Sequence, residues 1–388
     1  MRKWAFLLLL ACLAGPARAA KNLSVEELDQ ILAANHGKPD GHVAQMLSEV
    51  VLTERVTPSR LAQWEKSFIG SKTREELLLL ADNAAFLNLP PDDMLRDPVP
   101  DADTQTRMIS MAVEYVKETF SRLPNFLATR ATIHFEDEPT REQVTMPGMT
   151  SGATHWIPVE FASSVTSARP LHKSATFSAI VAYRDGAEVY DSSGKGAAEV
   201  AAATGLTTEG EFGPLLAFVL RDAVRSQQIT WSHWERGEDD PIAVFHFSVP
   251  QPESHFSVGI PKGSKQETVY PGYRGEIAVD PATGSIMRLS LIGDKIATHL
   301  ETETAILVDY APVSIGNQSY ICPVHGVAYS KSPVANAAQD SQSSTVTTQT
   351  LLNDVTFTQY HLFASESRIT FDGVGSQEAP SANGNAKP

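Results

Sequence analysis

Residues 275–280 (GEIAVD), the turn at 281–284 (PATG), residues 285–291 (SIMRLSL), 304–313 (TAILVDYAPV), the turn at 315–318 (IGNQ) and residues 319–330 (SYICPVHGVAYS) spell out a β-meander. Ile277 and Val279 alternate with Ala278 and Asp280, and Met287, Leu289 and Leu291 alternate with Ile286, Arg288 and Ser290. A period of two is the pattern of strands with one buried face and one wet face. The meander therefore predicts a curved antiparallel sheet, and any function would reside in what its inner face covers.

Upstream of the meander, residues 126–135, 156–166, 229–234, 242–249 and 255–260 read as strands, and 176–191 as a hairpin turning at Asp185-Gly186. Residues 355–363 supply a last strand after a Ser, Thr, Ala and Gln tract at 331–349 that reads as a mobile loop. One helix interrupts this series. It runs over 211–226, with Phe212, Leu215, Leu216, Val219, Leu220 and Ala223 in one apolar stripe.

Residues 23–88 have a different period. Capping boxes at Ser24/Glu27 and Thr73/Glu76, an acidic cap at Asp40 and a Thr57-Pro58 start predict four short amphipathic helices. The Pro- and Asp-rich stretch over 88–103 reads as a linker, followed by a longer helix that ends at Leu123-Pro124. The fold class is α+β: a small helical bundle and linker at 21–100, then a curved antiparallel sheet interrupted by one helix at 101–366, and a disordered tail at 367–388.

The first twenty residues read as a signal peptide, with Arg2 and Lys3 ahead of an apolar run and Ala17-Arg18-Ala19 as the cleavage site. The run is too short to span a bilayer, so export to the periplasm or the extracellular space is expected, with no transmembrane span. Losing Cys12 with the signal leaves Cys322 as the only thiol and excludes an internal disulfide. The formal charge of −15 argues against nucleic acid as a partner.

No catalytic spacing is present: G-x-S-x-G, H-E-x-x-H, the P-loop and G-x-G-x-x-G are all missing. His233, His246 and His255 lie on separate strands without the short pairing of zinc ligands, and His134 with Glu136, Asp137 and Glu138 lacks calcium-loop spacing. Asp97, Asp101 and Asp103 belong to the linker, and Glu235, Glu238, Asp239 and Asp240 read as a turn of exposed acids. Cys322 shares a strand face with Tyr320 and Val324 and reads as a small buried hydrophobe, with His325 on the other face. The chain is thus read as a non-enzyme with no cofactor and no metal.

Leu123–Phe126 (LPNF), residues 275–284 (GEIAVDPATG) and the Asp309–Gly316 stretch (DYAPVSIG), in that order around one apolar helix, resemble the half-barrel of the LolA, LolB and RseB type, over about residues 103–365. The resemblance implies a concave sheet that holds an acyl chain, a lipid or another apolar ligand under its helix. The wall residues would be Phe212, Leu215, Leu216 and Val219, with Trp231 and Trp234 from the strand cluster at 231–234. A protein partner for the helical module is the second expected contact. The alternative is a cell-envelope structural or interaction protein whose barrel core is filled.

Overall fold

The computed structural model describes residues 20–143, 170–190, 206, 208, 210–237, 240–262, 265–298, 300–333 and 345–363. The expected signal peptide, the strand expected over 156–166 and the expected tail lie outside them.

The N-terminal elements are β1 (Lys21–Leu23), α1 (Val25–Asn35), α2 (Asp40–Leu47), β2 (Val50–Leu52), α3 (Pro58–Ser67) and α4 (Ser71–Asn83). They bury a core of their own, built from Leu28, Leu32, Val43, Leu47, Trp64, Leu77 and Leu80. Ser24 and Glu27 make both bonds of the α1 capping box. The second expected box does not form. Helix α4 starts at Ser71, and its free amides are met by Asp40, whose carboxylate accepts from the Lys72 and Thr73 N–H at 3.3 and 2.9 Å. Asp40 therefore caps α4 rather than its own helix, which begins with no side-chain cap. Residue 70 must be glycine for this, because a Cβ there would stand 2.1 Å from Asp40 Oδ1. A parallel β1–β2 ladder, which the helical pattern hides, closes the module.

Next come β3 (Met94–Leu95), α5 (Ala102–Arg122), β4 (Phe126–Glu136), β5 (Thr140–Gln143), β6 (His172–Arg184) and β7 (Ala187–Tyr190). Then follow α6 (Pro214–Ser226), β8 (Ile229–Arg236), β9 (Pro241–Val249), β10 (Val258–Lys262), β11 (Lys265–Val269), β12 (Tyr273–Val279) and β13 (Ile286–Gly293). The chain ends on β14 (Ile296–Thr298), β15 (Leu300–Ile315), β16 (Gln318–Pro333) and β17 (Thr345–Leu362). Thirteen of these strands form one sheet with the path β3-β8-β9-β12-β13-β15-β16-β17-β4-β6-β7, with β14 on β15 and β5 on β17. Its neighbours are antiparallel throughout, so the chain is an α+β protein built on a large antiparallel sheet.

The β12–β13 turn forms as its residues require. Asp280 accepts from the Ala282 N–H and the Thr283 hydroxyl, and Gly284 takes φ +78°, with Met111 of α5 so close that a Cβ would meet its backbone at 2.6 Å. A bulge at Ala278/Val279 then shifts the alternation: Ile286, not Met287, joins Leu289 and Leu291 in the core. Helix α6 begins at Pro214, three residues later than its apolar stripe suggests, because Pro214 presets the first turn. The linker also does more than connect, since Met94 and Leu95 pair with Glu235 and Trp234 as an edge strand.

One expectation fails at the centre of the sheet, where strands β13 and β15 are buried on both faces. Helices α5 and α6 cover the first, packing Met108, Ala112, Leu216 and Val219 against Phe245, Ile277, Leu289 and Val308. The N-terminal helices cover the second, where Leu79, Ala85 and Phe86 meet Ile292, Leu307, Val327, Tyr329 and Leu352. The face that the alternation marks as wet is dry because another part of the chain lies on it.

Candidate functional site

Of the six residues expected to line an apolar pocket, Phe212, Leu215, Leu216 and Val219 are fully buried. Leu215, Leu216 and Val219 are 3, 5 and 0 % exposed within one cluster, with Trp231 and Trp234 half-buried against it. A bulge between Trp231 and His233 turns both indoles to the same side, where their rings cross edge-to-face 4.9 Å apart. Phe212 is separate from them, in an aromatic cluster with Phe126, Tyr183, Phe357 and Tyr360. Helix α6 is also pinned. Its buried Asp222 accepts from the His255 N–H at 2.9 Å and the Tyr273 hydroxyl at 2.9 Å, with His255 Nδ1 at 2.8 Å.

Two clefts among the described residues lie elsewhere, both on the seam between the N-terminal helices and the sheet. One, of about 40 Å³, is lined by Arg55, Phe86, Asn88, His246, Glu276 and Ser290; the other, of about 10 Å³, lies among Leu47, Glu76, Asn83 and Leu171. Spaces of this size hold a few water molecules, not an acyl chain.

Several buried charged residues lie on that seam, among them Arg55, Asp82, Glu235, Arg288 and Asp354. Register places His246 opposite Glu276, Arg288 opposite Asp309, and Asp309 opposite His325, so a polar row crosses the sheet from β9 to β16. Arg288 lies opposite Ala278, whose methyl leaves room for the guanidinium to reach Glu235 as a two-pronged fork. From the helical module Arg55 descends onto the same carboxylate and onto Glu276, 3.4 Å from each. Burial alone would push Glu235 up; Arg288 and Arg55 outweigh it and hold the carboxyl down at about 2. Glu276 is lowered by the same two cations against the same burial. Burial in turn lowers His233 and His246, against the pull of Glu276.

The far end of the seam joins three strands and a helix. His325 of β16 has Nδ1 3.2 Å from Asp309 of β15, and Nε2 3.3 Å from Asp82 of α4 and 3.2 Å from Asp354 of β17. Burial opposes the imidazolium, yet the three facing carboxylates raise His325 well above an ordinary histidine. Asp82, 3 % exposed, is pushed up to about 7, first by burial and then by the charge of Asp354.

Sequence reading assigned Glu235 to an exposed turn, quoted Asp309 only as part of a strand motif, and left Asp82 and Asp354 unremarked. Arg288, Asp309 and His325 carried a signal: charged residues set into otherwise apolar strands. Cys322 is buried in the cluster of Phe126, Tyr183, Phe357 and Tyr360, and burial pushes its thiol up to about 12. His134 is buried with Nδ1 2.6 Å from Asn353.

No family model, no curated protein and no solved structure matches this chain.

Proposed function

We propose that this is an exported, non-enzymatic interaction protein of the cell envelope, whose sheet is a half-barrel of the LolA, LolB and RseB type with its concavity filled by α6. In this reading the N-terminal bundle is built into the body of the protein, and a protein partner meets the outer surface of the helices. The single observation that supports it is the state of the expected ligand wall: Leu215, Leu216 and Val219 are fully packed, and Asp222 fastens their helix to Tyr273 and His255. A lid over a cavity would instead be weakly held and would leave a continuous apolar space beneath it.

Organic extraction of the natively purified chain, followed by mass analysis and titration with an apolar fluorescent probe, tests the reading. An empty extract and no saturable probe binding are expected. A stoichiometric acyl species, or a probe displaced by lipid, would restore the carrier reading that the sequence resemblance implies.

A further inference from the structure

We propose that Asp82, His325 and Asp354 form a binding site for a divalent metal ion of the zinc class, which ties α4 of the helical module to β16 and β17 of the sheet. Their ligand atoms, one from each residue, all lie within 4.8 Å of one another. Nε2 of His325 stands 3.3 and 3.2 Å from the two carboxylates. A tetrahedral ion with ligands at about 2.0–2.1 Å has ligand–ligand edges of about 3.3–3.4 Å, so two of the three edges already have the right length. The aspartates need only close on each other.

The hydrogen bonding is that of a ligand set. Oδ2 of Asp82 has no hydrogen-bond partner among the described residues, and Nε2 of His325 and Oδ1 of Asp354 meet as an ion pair at 3.2 Å without a well-aligned hydrogen bond, although Asp354 and Asp82 are only 2 and 3 % exposed. Leaving buried carboxylate oxygens unmatched is costly unless a cation serves them. Nδ1 of His325, in contrast, is held by Asp309. An ion entering between Asp82 and Asp354 would displace the Nε2 proton, and Asp309, holding Nδ1, would then orient the ring as the outer carboxylate of a carboxylate–histidine–metal arrangement.

Charge and position point the same way. Three carboxylates face one imidazole, so even an imidazolium leaves negative charge in excess. The neighbouring guanidiniums of Arg55 and Arg288 are engaged by Glu235 and Glu276. Asp82 also lies in the last turn of α4, where the helix dipole disfavours an anion. One imidazole nitrogen with two carboxylate oxygens suits zinc better than calcium, which takes six to eight oxygens.

The test uses the full chain, stripped with a chelator and dialysed against Zn²⁺, with bound metal measured by atomic emission and the site geometry by the visible absorption of a Co²⁺ substitute. One ion per chain, a tetrahedral Co²⁺ spectrum and a higher Tm with Zn²⁺ are expected. Asp354→Asn should abolish the stoichiometric ion, and Asp309→Asn should weaken binding by about 10–100-fold while keeping the one-to-one ratio. Wild-type chain that retains no stoichiometric Zn²⁺, or an Asp354→Asn variant that retains as much as wild type, would overturn the proposal. The wild-type measurement stands even if a variant fails to fold.

Discussion

Glu235 is 4 % exposed, so its negative charge is tenable only because Arg288 and Arg55 both reach it. Breaking a buried pair from one side leaves the other charge stranded, at a cost of roughly 3–5 kcal/mol. Glu235→Gln should destabilise the chain by that order in equilibrium denaturation at pH 7. Its carboxyl is held near 2 against an ordinary value of 4.5, so its contribution is complete above pH 4.5 and fades as pH falls toward 2. That depression is worth on the order of 3 kcal/mol. Denaturation midpoints followed through this window should drop in wild type and change less in Glu235→Gln; equal slopes would show that the residue is not paired in solution. The pairing was invisible in the sequence because Glu235 and Arg288 meet across three strand ladders. Local context, with Glu238, Asp239 and Asp240 beside it, pointed to a solvated turn.

Elements are legible where their signals are local. The α1 capping box, the Asp185-Gly186 hairpin and the β12–β13 turn follow from a few adjacent residues, and each forms as those residues require. The α4 start does not, because its cap comes from Asp40, on another helix. Asp40→Ala should therefore cost about 0.5–2 kcal/mol through α4. Amide hydrogen exchange should speed up at Lys72 and Thr73 and stay unchanged in the first turn of α2; the reverse pattern would refute the shared cap. A comparable non-local effect governs the sheet. The bulges at Ala278/Val279 and Trp231/His233 reassign Ile286 and Trp231 to faces that strict alternation denies them.

At the scale of the whole molecule, the helical module and the sheet share a dry apolar contact through Leu79, Phe86, Ile292, Leu307 and Tyr329, flanked by the charged seam. Phe86, 4 % exposed, has its ring edge-on to Tyr329. Phe86→Ala should cost about 3–5 kcal/mol, read as one cooperative loss by both tryptophan fluorescence and far-ultraviolet circular dichroism. Separate transitions at different midpoints would mean that the module and the sheet are energetically independent. The α+β class was legible from periodicity alone. The covering of the second face was not, since the residues that bury it lie some two hundred positions upstream and carry ordinary helical spacing. The filled first face is the claim on which the functional reading depends, and Leu216→Ala probes it most directly. Equilibrium denaturation of that variant should show a loss of roughly 2–5 kcal/mol with no gain in binding of an apolar probe. A loss well under 2 kcal/mol accompanied by altered probe uptake would contradict the account.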